Sequence, residues 1–453
     1  MFAVNRGNIT GRLDIRNILY SQTHTDNGIQ RVSLGQLTIE EPCYGTSATA
    51  IVRTSEEQPK YIRITDFNDF GIEEKHVFKT AETFSNKHFL KFNDLLFARS
   101  GSVGKTYFYD GSIGQAVFAG YCIRFRFDEN KVIPKYVYWY TKTNSFLRWV
   151  DGIQRPAVQP NINKEEYKSF EILLPCLEDQ KKLVDFMDKA FLSRQKRIKQ
   201  TDEIFNHAKI KFFETFGLSL VEYAPALYSV SNRGKLREMG IYCNPHSDYL
   251  NTVFLHLREN EYYAGNLEDF VEINPTTNRA ELQDNTPVAF VPMPAVEEKT
   301  NGVSYEIKPY KEVKTGFTIF QKNDLLWAKI TPCMQNGKSF IAADMPTEIG
   351  FGSTEFHVLR KKSERIYMPY LWVILSDAHI LEAAQGMFSG SAGQQRVPDT
   401  FLKKFPIVLP PVEIQKELAD NVMRALKQAK EMRDTAETEW QSAKEQFERE
   451  LLQ

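Results

Sequence analysis

Residues 93–111 read NDLLFARSGSVGKTYFYDG, and residues 322–340 read KNDLLWAKITPCMQNGKSF. Asn-Asp-Leu-Leu at 93–96 returns at 323–326 (323 − 93 = 230), and Gly104-Lys105 returns as Gly337-Lys338 (337 − 104 = 233). Both stretches contain Gly-Lys followed by a hydroxyl residue, which is the tail of a nucleotide phosphate loop. A complete loop, G-x-x-x-x-G-K-[ST], needs its first glycine to open the turn that aims backbone N–H groups at phosphates, and a helix must follow. Arg99 and Pro332 occupy the first-glycine positions, and Lys105 leads into TYFYDG, an alternating strand pattern. The two matches therefore mark a repeat, not a pair of nucleotide sites.

Outward from this pair the repeat continues in order. IPKYVYWYTKTNSFL from Ile133 parallels MPYLWVILSDAHIL from Met368, with Pro134 and Pro369 offset by 235. SFEILLPCLEDQKKLVDFM parallels KFPIVLPPVEIQKELADNV, pairing Leu174-Pro175 with Leu409-Pro410, and Glu178 and Gln180 with Glu413 and Gln415, again at 235. Upstream, Gly35 is matched to Gly265, and the strand-like YIRITD at 61–66 to AFVPMP at 289–294.

Within each copy, runs rich in Phe, Tyr, Ile and Val, broken by Gly, Asn and Asp, predict strands and hairpins, followed by one or two helices. Each copy is expected to be an α+β globule. Each then enters a long amphipathic helix. In the first, Leu183, Phe186, Met187, Ala190, Phe191, Ile198, Phe205, Ala208 and Phe212 recur at three- and four-residue steps. In the second, Leu418, Val422, Ala425, Ala429, Met432, Ala436 and Ala443 follow heptad spacing, with a change of phase expected at Trp440, Phe447 and Leu451. The expected architecture is thus two similar α/β globules separated by two long antiparallel helices, a coiled-coil spacer about 60 Å long, in a pseudo-two-fold arrangement. The boundaries are 1–176 for the first globule, 177–217 for its helix, 218–264 for a connecting insert, 265–410 for the second globule and 411–453 for the last helix.

The bulk numbers narrow the function. The chain has 453 residues, enough for two or three domains, and 57 basic against 58 acidic side chains, a balance that predicts neither nucleic-acid nor membrane binding on average. A local excess of cations on one face remains compatible with it. No apolar run approaches the length of a membrane span and the N-terminus lacks a secretory signal pattern, so a cytoplasmic protein is expected. Five scattered cysteines without a C-x-x-C pair suit reduced, mostly buried thiols. We find no H-E-x-x-H, no metal-spaced histidines and no G-x-S-x-G. The Asn-Pro pairs CNPHS and INPTT lack the remainder of an amino-methyltransferase loop. An active site, a metal and a cofactor are therefore not expected.

Two kinds of segment are candidates for binding. The hairpin after NDLL is either a plain turn, for which its glycines suit the backbone, or a turn whose small residues let it approach a polyanion. Its candidate contacts are Arg99, Ser100, Ser102 and Lys105 in the first copy, and Lys329, Thr331, Asn336 and Lys338 in the second. The polar loops DGIQRPAVQPNINKEEY (151–167) and GMFSGSAGQQRVPDTFL (386–402) occupy matching places before the last strand and differ in sequence. They offer Gln154, Arg155, Gln159, Asn161 and Asn163, then Ser389, Ser391, Gln394, Gln395 and Arg396, side chains suited to hydrogen bonding with base edges. The basic stretch SRQKRIKQ at 193–200 is a solvated helix face or a DNA-backbone contact.

The repeated NDLL-x-A-[RK], the Gly-Lys after it, LPPVEIQKEL at 409–418 with LPCLEDQKKL at 174–183, and GRLDIRN at 11–17 resemble the specificity subunits of type I restriction-modification systems across nearly the whole chain. Cys176 stands where proline is commoner, and the 218–264 insert departs from the pattern. The resemblance implies two target-recognition domains and a non-catalytic subunit that reads a bipartite, asymmetric site in double-stranded DNA. Adenine methylation and cleavage would belong to partners, two methyltransferase (modification) subunits and the restriction subunits. The alternatives are a protein-interaction scaffold or inhibitor on the same fold, or a specificity subunit for a combined methyltransferase-nuclease.

Overall fold

A computed structural model describes residues 30–73, 76–153, 160–215, 245–391 and 394–452. GRLDIRN at 11–17 and most of the expected insert lie outside these residues. The chain divides into two compact units, residues 1–198 with 434–453, and residues 199–433. Each is taken by itself.

The first unit is built on a four-stranded antiparallel sheet in the order Cys43–Tyr44, Cys122–Phe125, Asp94–Ala98, Thr106–Tyr109. The second unit repeats the order with Val271–Ile273, Phe356–Lys361, Leu325–Ala328 and Ser339–Ile341. The NDLL motif explains why. Asn93 and Asn323 turn the chain in the left-handed region (φ 71° and 70°), which asparagine tolerates better than most residues. Next, buried Asp94 accepts from Lys91 N at 2.7 Å and is chelated by Arg126 through Nε and Nη2, both at 2.7 Å. Asp324 repeats this with Gln321 N at 2.7 Å and Arg360 at 2.9 and 2.7 Å. The following Leu-Leu-Phe-Ala and Leu-Leu-Trp-Ala are buried on both faces, as befits a central strand.

A parallel pair lies beyond each sheet, Lys60–Ile62 with Ala116–Phe118 and Pro287–Val291 with Ile349–Gly352, where YIRITD and AFVPMP were matched. In the second unit it widens to four strands; in the first its neighbours form a separate ribbon, Ala50–Val52 with Lys79–Ala81. The helices Pro134–Tyr140 and Met368–Leu375 cover the main sheet, and Tyr136 and Tyr370 donate to Leu173 O (2.6 Å) and Val408 O (2.8 Å). That equivalence is offset by 370 − 136 = 234, so the two prolines matched at 235 are one position apart. Either first-turn position takes proline, because neither N–H has an intrahelical partner. Gly35 and Gly265 also fail to correspond. Leu34 and Leu267 open equivalent short helical turns by donating to Phe170 O and Phe405 O, both at 2.9 Å, which places Gly35 after the turn's start and Gly265 before it.

The stretch 218–264 is not all connector. Its helix Pro245–Arg258 sends Leu250, Val253, Phe254 and Leu257 into the second unit's core, and the strand Tyr263–Asn266 pairs with Pro406–Val408 as Arg31–Ser33 pairs with Glu171–Leu173. An apolar face of that kind needs a core to bury it.

The long helices run Leu177–Glu214 and Val412–Leu452. In the first unit Phe191 lies 5.8 Å from Trp440 and Arg194 pairs with Glu437, so the two segments there are antiparallel. Trp440 and Phe447 also pack on Trp139 and Tyr136 of the globule, at 5.6 and 5.8 Å. The buried apolar residues of the last helix are Leu418, Ala419, Val422, Leu426, Ala429, Ala436, Trp440, Ala443, Phe447 and Leu451, and of the three positions where a change of phase was expected only Leu451 departs from the alternating three- and four-residue step. Trp440 and Phe447 therefore keep the heptad phase, and the expected change at them does not occur; Leu426 takes the place assigned to Ala425, which is only half-buried. The arginines of SRQKRIKQ are engaged, Arg194 with Glu437 and over Phe70, Arg197 with Glu439 at 3.0 Å. Of the described cysteines, all free, only Cys122 is buried; Cys176 is exposed, against the expectation of mostly buried thiols.

Candidate nucleic-acid interface

The hairpin and the polar loop, far apart in sequence, meet at one residue in each unit. In the first, Ala98 N donates to Lys105 O (2.9 Å), Arg99 N to Tyr121 O (2.9 Å) and Ile162 N to Arg99 O (2.8 Å), and Ser100 bridges to Asn161. In the second, Ala328 N donates to Lys338 O (3.0 Å), Lys329 N to Glu355 O (2.9 Å) and Val397 N to Lys329 O (2.9 Å), and Ile330 bridges to Arg396. The same backbone bonds hold a cationic residue at the junction of three segments in both.

The side chains around that shared frame differ. In the first unit, Ser100, Ser102 and Lys105 belong to a tight turn closed by Ser102 N to Ser100 O (2.9 Å) and Lys105 N to Ser102 O (3.2 Å). Gly101 and Gly104 there have φ of 74° and 87°, and a Cβ on Gly104 would meet Val150 at 3.1 Å. Strand Thr106–Tyr109 follows directly, so Gly-Lys-Thr is a hairpin turn. The Arg99 guanidinium lies 4.7 Å over the Tyr44 ring, with its buried Nε unpartnered, while Tyr44 Oη accepts from Lys164 N at 3.2 Å. Asn161 is exposed. Asn163 caps the helix Lys164–Ser169, accepting from Glu166 N at 3.0 Å, a structural role that restrains it. Gln154, Arg155 and Gln159 lie outside the described residues.

In the second unit Arg396 is chelated by Glu355 (2.9 and 2.6 Å) and donates to Gln394 O (3.1 Å). The Arg396 hydrogen bond holds the Glu355 carboxyl below its ordinary range. Thr331 exchanges bonds with Gln395, its N–H to Gln395 O (2.9 Å) and its Oγ1 from Gln395 N (3.2 Å). Ser389 pairs with Arg396 and Ser391 O accepts from Gln394 N (3.0 Å), closing the loop tip. Asn336 donates to Glu298 (2.8 Å) and Lys338 to Met293 O (3.3 Å), so both are tied to the segment beside the hairpin. Beneath the junction His357 is buried; its Nε2 lies 2.9 Å from Val397 O, and desolvation pushes its pKa down. Tyr44, Glu355 and His357 were missed in the sequence because Tyr44 and His357 become neighbours only through sheet pairing, and Glu355 through the turn that opens the strand Phe356–Lys361.

Among the described residues no group of three or more side chains could hold a metal ion, and no helix is long and apolar enough to cross a membrane.

A duplicated sheet that presents one cationic junction per copy defines a protein of two related recognition domains. The family model for the type I restriction modification DNA specificity domain matches residues 46–203 and 260–431, and the chain belongs to that family. The chain is 38% identical over 153 residues to the type I restriction enzyme EcoAI specificity subunit of Escherichia coli, covering 34% of this chain and 26% of that protein. To the EcoEI specificity subunit of the same organism it is 38% identical over 146 residues, covering 32% and 24%. The match thus spans about a quarter of the curated relatives' length. A solved chain of a type I R-M system has a TM-score of 0.48 at 12% identity, covering 94% of this chain and 96% of that one.

Proposed function

We propose that this chain is the DNA sequence-recognition subunit of a type I restriction-modification complex. Each unit reads one half of a bipartite, asymmetric target, and partner methyltransferase and restriction subunits methylate adenine or cleave. The chain itself performs no chemistry. The observation that carries this reading is the junction: identical backbone bonds hold Arg99 and Lys329 in place while the surrounding loops differ, the arrangement expected of one scaffold reading two different sequences.

Phosphate contacts fix register and base contacts specify, and Arg99, Lys105, Lys329 and the two polar loops supply both chemistries. The long helices, of 38 and 41 residues, measure about 57 and about 62 Å at 1.5 Å per residue. That length suffices to span half-sites one DNA turn apart, about 34–36 Å. Two methyltransferase subunits then dock on the helices and supply phosphate contacts that a chain of net charge −1 lacks.

Methylome sequencing of a host carrying the system tests the reading. Replacing residues 1–176 with the matching segment of a relative should change one half-site only. A change in both halves, or no change in the methylated motif, rejects it.

A further inference from the structure

The INPTT motif at 273–277 is left without a role by the recognition loops. In the second unit it forms one wall of an open pocket of about 390 Å³ beside the junction, lined by Asn274, Thr276, Thr277, Arg279, Thr318 and Lys329 over an apolar floor that includes Phe356 and Val358. No carboxylate lines it. Of the acids around it, Asp284 pairs with Lys314, Glu355 with Arg396 and Asp324 with Arg360, while Glu281 lines the adjoining pocket with Arg279. Among the described residues neither Arg279 nor Lys329 is in an ion pair.

The wall is rigid. Asn274, at φ 54°, accepts from Val358 N (3.1 Å) and contacts His357 (3.2 Å), Thr277 Oγ1 accepts from Arg360 (3.0 Å), and Arg279 donates one bond to Lys314 O (3.2 Å). Two cations outside any ion pair and the hydroxyls of Thr276 and Thr318, in a pocket lined by no carboxylate, suit an oxyanion.

We propose that this pocket seats one backbone phosphodiester of the DNA beside the half-site read by the second unit, with Arg279 and Lys329 as its cationic ligands. The proposal rests on the DNA-recognition reading above. The site positions and does not specify: it anchors the duplex so that the Arg396 loop faces the bases.

The test titrates the full chain, wild type and Arg279→Gln/Lys329→Gln, against its target duplex and against scrambled duplex over a range of salt. Unchanged melting of the variant confirms that it is folded. The double variant should bind both duplexes several-fold more weakly, and the slope of log K against log salt should fall by about one. An unchanged affinity and slope overturns the proposal, and so does a loss confined to the target duplex, which would make the pocket a base reader. Acylation of Lys329 is measured in parallel with and without inorganic phosphate. Protection in the wild type, lost in Arg279→Gln, is expected; absence of protection overturns the pocket. This arm does not involve DNA, so the pocket is decided even where the chain needs its methyltransferase partners to hold duplex, and only failure of the chain together with those partners to bind any duplex rejects the recognition reading.

Discussion

The two junctions differ in how they hold their cations. In the first unit Arg99 rests on the face of Tyr44 with Nε unpartnered, whereas in the second Lys329 opens on a pocket and the arginine of the neighbouring loop, Arg396, is clasped by Glu355. Beneath that difference the units share buried clamps residue for residue. The shared parts carry stability and the divergent parts are free to carry recognition, because a change in an exposed loop leaves the clamps intact.

The largest effects should therefore fall equally on the two units. Asp324→Asn leaves Arg360 without a carboxylate and Asp94→Asn leaves Arg126 with only Glu40 (2.7 Å), in sites where the lost carboxylate is 2% and 0% exposed. Each should cost about 3–5 kcal/mol, since removing one partner leaves a buried charge uncompensated. Hydrogen exchange would show the loss in the unit carrying the substitution. A loss from one of the two substitutions with none from the other would break the equivalence of the two scaffolds.

Next in size are the glutamines of LP-x-x-E-x-Q. Gln180 accepts from Ile133 N (2.8 Å) and donates to Pro175 O (2.8 Å); Gln415 accepts from Tyr367 N (2.9 Å) and donates to Arg365 O and Pro410 O (2.8 and 2.7 Å). Both are fully buried, tying the start of a long helix to the segment before the sheet-covering helix. Gln180→Leu and Gln415→Leu should each cost about 1–3 kcal/mol in denaturant melts, the penalty for stranded backbone groups.

These clamps explain why so much of the fold was legible. A buried side chain that chelates a partner is constrained in identity, so Asp94, Asp324, Gln180 and Gln415 stand out as matching letters even where the surrounding residues have diverged. The helix boundary, the strand NDLL and the heptad stripe were legible for the same reason. The prolines misled because first-turn helix positions tolerate sliding by a residue, and Gly35 and Gly265 because one lies inside the short helical turn and the other in the strand before it, three positions apart (233 − 230 = 3). The site was half legible: the loops could be found as polar insertions at matched places, but Tyr44 reaches Arg99 from 55 positions away (99 − 44 = 55), Glu355 reaches Arg396 from 41 and Asn274 reaches Val358 from 84, distances at which local pattern carries no signal.

Recognition effects should be smaller and confined to one half-site. Tyr44→Leu removes the ring under Arg99, an interaction worth about 0.5–2 kcal/mol where the cation is partly desolvated. It should weaken binding to the first half-site several-fold and leave the second unchanged. Glu355→Gln loosens Arg396 and should alter base preference in the second half-site only. Binding to duplexes with one half scrambled separates the two. Loss at both halves from either variant would mean that the junctions are not independent readers.

The smallest effect is a difference in acid sensitivity. His357 faces Trp327 across the sheet at the place where the first unit has Ile123 facing Phe97. Its ring packs among Val397 O, Asn274 and Trp327, with Lys329, Glu355 and Asp399 as the charged groups around it. Burial is the main cause that pushes its pKa below the ordinary histidine value, so the unfolded chain binds the proton more readily than the folded one. Stability from a neutral His357 is then fully present above the ordinary histidine pKa, near 6.5, and declines as pH falls below it. Exchange protection in the second unit should drop as pH is lowered from 7 toward 5, after correction for intrinsic exchange, and the first unit, with isoleucine at that position, should drop less, since its own histidine pushed down by burial, His88, is only half-buried. His357→Leu should flatten the second unit's profile; if the two units lose protection in parallel and the variant changes nothing, the buried imidazole is not what distinguishes them.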